Sequence, residues 1–181
     1  AVEWARSHGI EVRCASTHDE SQTFTRIHDL DGAPRITGVT TNADIWVITD
    51  TQCQPGVRLD GVVKTLSDWN VEGLRAVQFN AGWQLLCSIQ NVHGVTNLKE
   101  NLQALGVDSI EHYTLVTAVG RSLSSMSGAV GMLTNAMTQA EIVLHGNLIE
   151  PNGVGFLVDH ANGPAAVATI HQVFMATKGS T

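Results

Sequence analysis

Two segments of the chain combine glycine with polar residues in a way that suits the binding of a small charged molecule. In the first, Pro55-Gly56 lies between an apolar run and a helical pattern, so Gly56 would open a helix. A helix N-terminus offers unpaired backbone N–H groups and a positive dipole end, which suit a carboxylate. An ammonium group would need acceptors instead. The candidate residues of this first segment are Asp50, Gln54, Pro55, Gly56, Val57, Gln78 and Asn80.

The second segment is the serine- and glycine-rich stretch 120–128, which precedes another helical pattern. Its candidate ligand-binding residues are Ser125, Ser127 and Gly128. Each segment also has a simpler interpretation: Pro55-Gly56 can be no more than a tight turn, and the serines can serve only to cap the helix that follows. A free amino acid, with its carboxylate, ammonium and side chain, is the ligand chemistry that both segments suit.

No catalytic or metal-binding residue is predicted. The stretch 18–31 contains histidine and acidic residues of metal-ligand type, but their spacing matches no recognised site and favours a solvated loop. The three cysteines are far apart and form no C-x-x-C pair. Gly120 and Gly128 do not belong to a phosphate-binding Walker sequence, and no G-x-S-x-G sequence presents a nucleophilic serine.

Composition narrows the class of protein. The 181 residues carry a net charge of −7 with 43% hydrophobic residues, which is typical of a globular domain and not of a nucleic-acid-binding protein. No apolar run reaches the roughly 18 residues needed to span a bilayer. The few, widely spaced cysteines predict a reducing, cytoplasmic location. Because no signal-peptide pattern begins at Ala1, we expect an excised fragment or a subunit translated from an internal site.

Hydrophobic patterns predict the elements that position these residues. Apolar runs predict strands over 36–41, 45–48, 74–79 and 83–89. Apolar residues at helical spacing predict one helix after Gly56 and another before Gly106. Their apolar faces consist of Leu59, Val62, Val63 and Leu66 and of Leu98, Leu102 and Leu105. Trp46 and Trp83 are expected in the core or at an interface.

The pattern then recurs. Strands are predicted over 113–119, 141–149 and 153–158, with helices whose apolar residues are Val130, Leu133 and Met137 and then Val167, Ile170 and Phe174. Gly56 and Gly128 occupy equivalent positions roughly seventy residues apart, which indicates a duplication. Ahead of the duplicated part, the sequence predicts a helix over 1–8, a strand over 10–14 and a polar loop or linker over 16–34.

Counting strands predicts how the two copies are connected. Each copy is a strand–helix–strand–strand–helix unit of the ferredoxin-like type, which needs a fourth strand. The first unit can use 109–112, whereas the second has no chain left after Phe174. The strand 36–41 can fill that place, so we expect the first unit to be inserted within the second. The predicted fold class is α+β, with two tandem ferredoxin-like βαββαβ units.

Several segments resemble the aspartate kinase family. Residues 2–6 and 9–13 resemble the closing helix and strand of its catalytic domain, and Ile36-Thr37-Gly38-Val39 resembles the strand that opens its regulatory region. That region contains two ACT domains, one inserted in the other, and the strand count above predicts the same arrangement.

The candidate binding segments take part in the same resemblance. Pro55-Gly56 and the stretch 120–128 resemble the loops of the two ACT domains, and Val77-Gln78 resembles the strand that follows the first loop. The sequence departs from the residues that are usual there at Cys53, Phe79 and Ser127. The resemblance therefore leaves the ligand open between lysine and threonine.

The resemblance implies a division into domains and a function. Residues 1–34 would be the tail of a kinase catalytic domain and a linker, 43–111 a first ACT domain, and 35–42 with 112–176 a second. The chain would be the regulatory part of an aspartate kinase, with lysine or threonine as feedback effector at the first step of lysine, threonine and methionine biosynthesis. A homodimer through ACT domains is implied, and the run 45–48 is expected to need cover from a second chain. The kinase catalytic domain or subunit is the other expected partner. Neither a nucleic acid nor a membrane is expected as a partner.

This chain alone should be non-catalytic, because it lacks the family's Lys-Phe-Gly-Gly nucleotide-binding stretch. No cofactor is expected in it, since ATP and Mg²⁺ would be used by the absent kinase domain. Two alternatives stay open: an ACT-type sensor that serves another enzyme, and a small ferredoxin-like enzyme whose histidine and aspartate residues perform acid–base chemistry. A cleft that gathers several histidines with shifted pKa values would favour the second alternative.

Replacing Gly56 with valine tests the first segment. The branched side chain would occupy the space through which a ligand carboxylate approaches the backbone, while one loop residue contributes little to the core. We expect the variant to stay folded and to lose most of its affinity for lysine or threonine in isothermal titration calorimetry. Equal affinity of variant and wild type would place the site elsewhere, with the segment ending at Gly128 as the next candidate.

Overall fold

The structure, a computed structural model, describes residues 10–15, 24–27, 35–51, 57–79, 82–121, 123, 128–150 and 152–178. The chain divides into two compact units, Ala1–Ala33 and Pro34–Thr181. No helix in the ranges just given is long and apolar enough to cross a membrane.

The first unit contains a two-stranded antiparallel ladder. Strand β1, Val12–Ala15, pairs with strand β2, Phe24–Ile27, and Val12 lies opposite Ile27. The predicted strand over 10–14 is confirmed in this position. The prediction of a loop throughout 16–34 is wrong at β2, where backbone pairing with β1 makes a strand that the local polar composition did not indicate. The predicted helix over 1–8 lies outside the described residues.

The described residues of the second unit form six strands and four α-helices. Its elements are β3 (Arg35–Asp50), α1 (Val57–Asp68), β4 (Glu72–Phe79), β5 (Gly82–Ser88), α2 (Val95–Ala104), β6 (Ser109–Arg121), α3 (Ala129–Gln139), β7 (Gly146–Glu150), β8 (Gly153–Val158) and α4 (Gly163–Lys178). A 3₁₀ turn, His160–Asn162, precedes α4. The strands form an antiparallel sheet in the order β4-β5-β3-β6-β8-β7. The predicted α+β class is confirmed at this level.

Two of the strands are much longer than predicted. The separate strands expected over 36–41 and 45–48 are one strand, β3, and those expected over 109–112 and 113–119 are one strand, β6. The polar residues 40–44 interrupt the apolar pattern, but their backbone still pairs with β6, apart from register shifts between Ile36 and Gly38 and between Asn42 and Ile45. The strand predicted from 141 begins only at Gly146.

The helices cover one face of the sheet, and the core divides into two clusters there. Residues that lie opposite each other in antiparallel strands point to the same face, so the buried residues of neighbouring strands form continuous layers. Helices α1 and α2 cover the first cluster, which contains Trp46, Ile48, Val62, Leu66, Trp83, Leu85, Leu98 and Leu102. Helices α3 and α4 cover the second, which contains Val116, Ala118, Leu133, Met137, Phe156, Ala166 and Ile170. The predicted apolar helix faces and the burial of both tryptophans are confirmed, except that Leu105 follows the end of α2 and is exposed.

The sheet is strongly curved, which buries part of its other face. Arg75 of β4 forms an ion pair with Glu150 of β7, although these are the two edge strands. In a flat sheet five strand spacings would separate them by about 24 Å, more than the two side chains can bridge. The curvature brings together a third cluster of buried residues, Ile45, Val47, Leu86 and Leu157.

This curvature corrects one expectation. The run 45–48 was expected to need cover from a second chain, yet all four residues are buried within one chain. Trp46 and Ile48 point towards α1 and α2, while Ile45 and Val47 lie in the third cluster. Their burial therefore gives no reason to expect a dimer.

Gly82 allows the tightest approach of two strands near the end of β3. A Cβ atom at Gly82 would overlap the backbone oxygen of Asp50 and would lie 2.7 Å from the Cα of Thr51. Because these are backbone atoms, Gly82→Ala should force the strands apart and lower the free energy of unfolding by about 1–3 kcal/mol. Urea denaturation followed by circular dichroism measures this loss.

Gly131 provides the matched control. It is an exposed residue inside α3, and a Cβ there would meet nothing within 4 Å. Gly131→Ala should therefore raise the free energy of unfolding by about 0.5–1 kcal/mol, because alanine loses less backbone entropy in a helix. If both variants had free energies of unfolding close to that of the wild type, the packing described for Gly82 would be contradicted.

Candidate functional site

The C-terminal end of β3 places a buried carboxylate beside a buried indole. Asp50 is the last residue of β3 and is fully buried, and it lies opposite Trp83 of β5. Trp83 in turn lies opposite Gln78 of β4. Residues paired in this way share a face, so Asp50, Trp83 and Gln78 form one row on the side of the sheet that α1 and α2 cover. We call these three residues the β3-end row.

Arg58 compensates the charge of Asp50. Its Nη1 donates hydrogen bonds to Asp50 Oδ2 at 2.9 Å and to the backbone oxygen of Gly106 at 2.7 Å. Arg58 lies in the first turn of α1, so the ion pair connects the start of this helix to the end of β3. A buried carboxylate without such a partner would be strongly destabilising, which explains why both side chains are held together.

Asp108 fixes the chain just beyond β3. The Thr51 backbone N–H and hydroxyl both donate to Asp108 Oδ2, each at 2.6 Å, and the Asp108 N–H donates to the Thr49 oxygen at 3.0 Å. The hydrogen bonds from the Thr51 hydroxyl and then its N–H lower the pKa of Asp108. Hydrogen bonds in both directions between the end of β3 and Asp108 therefore fix the point at which the chain leaves the sheet towards α1.

The structure brings some of the predicted binding residues together. Asp50 and Gln78 lie in the β3-end row, and Val57 is the first residue of α1. Gly128 lies directly before α3 with a φ of +84°, a left-handed conformation that glycine adopts without strain. The remaining predicted residues lie outside the described part of the chain: Gln54, Pro55, Gly56, Asn80, Ser125 and Ser127.

Sequence reasoning missed three contributors to this site. Arg58 and Asp108 had no distinguishing pattern, because a single charged residue at a helix start or before a strand is usually solvated. Trp83 was expected only as a core or interface residue. It is 1% exposed, and in the described part of the chain its Nε1 is the one buried side-chain nitrogen or oxygen without a hydrogen-bond partner.

A second group of polar residues lies where β6 passes under the start of α4. The imidazole rings of His112 and His160 meet edge to face with their centroids 4.3 Å apart. His160 Nδ1 is 2.9 Å from the Thr114 hydroxyl oxygen, and His112 Nε2 is 3.7 Å from Asp44 Oδ1. Burial and then the charge of His160 lower the pKa of His112, and the Asp44 carboxylate offsets these two effects only in part.

The part of the chain that the structure describes contains no metal site, and its Cys87 thiol is unreactive. Among the described residues, no three His, Cys, Asp or Glu side chains are grouped so that they could hold a metal ion. Burial raises the pKa of the Cys87 thiol to about 12, so its nucleophilic thiolate is scarce at neutral pH. The predicted histidine-rich loop 18–31 lies outside the described residues, apart from β2.

Comparison of sequences identifies no relative. No model of a known protein family matches the chain, and no curated protein matches it.

Comparison of structures identifies the class of fold. The chain matches the crystal structure of aspartokinase alpha and beta subunits with a TM-score of 0.63 and 18% identity, covering 77% of this chain and 98% of that one. It matches Clostridium acetobutylicum aspartate kinase with a TM-score of 0.71 and 18% identity, covering 94% of this chain and 42% of that one. E. coli aspartokinase III in complex with lysine and aspartate gives a TM-score of 0.63 and 16% identity, over 94% of this chain and 40% of that one.

These matches show an α+β fold that the chain shares with structures of aspartate kinases. The particular structures that share it are regulatory subunits and C-terminal regulatory domains of aspartate kinases, and they match over most of the chain. The chain spans about two fifths of the length of the longer kinases, 42% and 40%. At 16–18% identity the likeness establishes the fold.

The lowered pKa of His112 predicts a pH dependence of stability. Because the neutral imidazole is favoured in the folded state, the unfolded chain binds the proton more tightly. The free energy of unfolding should therefore be unaffected by His112 well above pH 6.5 and should fall as the pH drops below that value through the lower folded pKa. Urea denaturation between pH 8 and pH 5 measures the slope.

Replacing His112 with glutamine should reduce this slope, because glutamine does not titrate. His93→Gln is the matched control, since His93 is an exposed residue ahead of α2. Slopes that are the same in the wild type and in His112→Gln would contradict the assigned pKa shift.

Proposed function

We propose that the chain is the amino-acid-sensing regulatory part of an aspartate kinase. The observation that carries this proposal is the structural match over nearly the full length of aspartokinase subunits, 98% of the matched chain. Lysine or threonine is the proposed effector, and one matched kinase, E. coli aspartokinase III, was crystallised in complex with lysine. Binding would bias the kinase between active and inactive states, a coupling usually worth about 1–3 kcal/mol.

We also propose the nested arrangement of two ACT units. The ferredoxin-like fold places its four strands in a fixed antiparallel order, with the first and third strands in the middle. The order β6-β3-β5-β4 supports such a unit over 43–111. Only the part of β3 that begins near residue 45 and the part of β6 near residue 110 belong to this unit. The order β3-β6-β8-β7 supports a second unit from 35–42 and 112–176.

The chemistry at the β3-end row supports an amino-acid ligand. The start of α1 supplies backbone N–H groups that suit the ligand carboxylate, as proposed for Gly56 and Val57. Asp50 is fully buried and already paired with Arg58, so the exposed amide of Gln78 is the group of the row that we propose for the ligand ammonium or side chain. Ser125, Ser127 and Gly128 would form the equivalent second site, where Gly128 opens α3.

The exposed edge strand β4 supports a homodimer. All eight of its residues are exposed, and they include the apolar Leu74, Val77 and Phe79. An edge strand presents unpaired backbone groups that can pair with a second chain, and exposed apolar side chains on it make that pairing favourable. The exposed strand β4, and not the run 45–48, is therefore the surface that we propose for dimerisation.

The remaining parts of the proposal concern the whole enzyme. The regulated step would be the first of lysine, threonine and methionine biosynthesis, in the cytoplasm, and the other partner would be the kinase catalytic domain or subunit. ATP and Mg²⁺ would bind to that partner. An ACT-type sensor for another enzyme shares the same fold and is the first alternative.

The second alternative, a small ferredoxin-like enzyme, draws on His112 and His160. Their close contact and the lowered pKa of His112 are features expected of acid–base groups. Both rings already have polar neighbours in Thr114 and Asp44, and Asp159 pairs with His145 at 2.9 Å instead of with His160. We rank this alternative below the sensor for that reason.

Calorimetric titration with the standard amino acids tests the proposal. We expect binding of lysine or threonine, and Gln78→Ala should weaken it about threefold to tenfold because one polar contact is worth about 0.5–1.5 kcal/mol. Gln139→Ala is the matched control, since this exposed glutamine ends α3 and should not affect the first site. A wild-type protein that binds none of the amino acids would contradict the proposal.

A further inference from the structure

The indole of Trp83 contains a buried hydrogen-bond donor that has no acceptor among the described residues. The side chain is 1% exposed, and within the described residues its Nε1 has no acceptor. Buried tryptophan N–H groups usually find a partner, because leaving a donor unsatisfied costs about 1–3 kcal/mol. Such a group is expected to have an acceptor, and the described residues do not provide one.

The position of Trp83 indicates where that acceptor would come from. Trp83 lies between Asp50 and Gln78 in the β3-end row, on the side of the sheet that α1 covers. The glycine before it holds β5 against the end of β3, since a Cβ at Gly82 would overlap the Asp50 backbone. The indole is therefore held at the end of the sheet from which the chain proceeds to α1.

The neighbouring charges explain which acceptor would suit. The Asp50 carboxylate stands beside the indole in the row, but it pairs with Arg58. The Arg58 side chain is 33% exposed, and a guanidinium has five N–H donors, of which Nη1 serves Asp50 and Gly106. This end of the sheet therefore carries two kinds of donor, a guanidinium and an indole N–H, while its other carboxylate, Asp108, already accepts two hydrogen bonds from Thr51.

We propose that the Trp83 indole N–H donates a hydrogen bond to the carboxylate of an amino-acid ligand bound at the end of β3. This rests on the proposed function and adds a specific binding residue to it. The donor stays without a partner until the ligand arrives, so ligand binding removes an unfavourable feature of the free protein. Trp83 thereby favours ligands with a free carboxylate over the corresponding amides.

The test compares Trp83→Phe with Trp46→Phe, each titrated with lysine, threonine and the amides of both. Trp46 is the matched control because it is 3% exposed, lies on the same face and belongs to the same core cluster. Trp83→Phe should weaken binding of the free amino acid at least about tenfold, as for a hydrogen bond to a charged group, and should leave binding of the amide within twofold. Trp46→Phe should leave both affinities within twofold.

A second measurement uses the wild-type protein and does not depend on the stability of the variants. In ¹⁵N-edited spectra, the Trp83 indole N–H resonance should move to lower field when the amino acid binds, and it should move much less with the amide. Equal affinities of Trp83→Phe and wild type for the amino acid, or an indole resonance that does not respond to it, would overturn the inference and leave the proposed function standing. Absence of amino-acid binding by the wild type would overturn both.

Discussion

The antiparallel pairing of β3 with β6 is the interaction on which the remaining structure depends. These two long strands lie at the centre of the six-stranded sheet. Strands β5 and β8 pair with them on either side, and the edge strands β4 and β7 pair with β5 and β8. Each strand is backed by two pairs of helices at different points along its length, so one ladder of hydrogen bonds supports two core clusters. The register shifts at Gly38 and between Asn42 and Ile45 let the sheet bend until its edges meet through Arg75 and Glu150.

The same ladder determines where the candidate site lies. Because β3 pairs with β5 up to Asp50, its last residue is carried into the helix-covered face and becomes fully buried. Burial makes the ion pair with Arg58 necessary, and that ion pair fixes the first turn of α1 next to the end of the sheet. Asp108, just before β6, holds Thr51 on the other side. The site is therefore built on two strands and a helix, which keep its donors in place without a ligand.

Periodicity was sufficient to predict the helices, their buried faces and most strands, because burial against a sheet leaves a regular apolar spacing. It failed where backbone pairing overrides composition: the polar residues 40–44 continue β3, and Phe24–Ile27 pairs as a strand within a polar stretch. The curvature was not predictable, since it shows only in contacts between residues that are far apart in sequence, such as Arg75 and Glu150. The predicted residues Asp50 and Gln78 both lie opposite Trp83, but the Arg58 ion pair and the Trp83 donor depend on side-chain positions that no local pattern encodes.

The central claim, that the end of β3 is an amino-acid site, is tested most directly by a crystal structure of the protein grown with saturating lysine or threonine. The account predicts one amino acid beside the β3-end row, with its carboxylate at the start of α1. Density for the amino acid only at a different place in the molecule, or an unoccupied β3 end under saturating ligand, would contradict it.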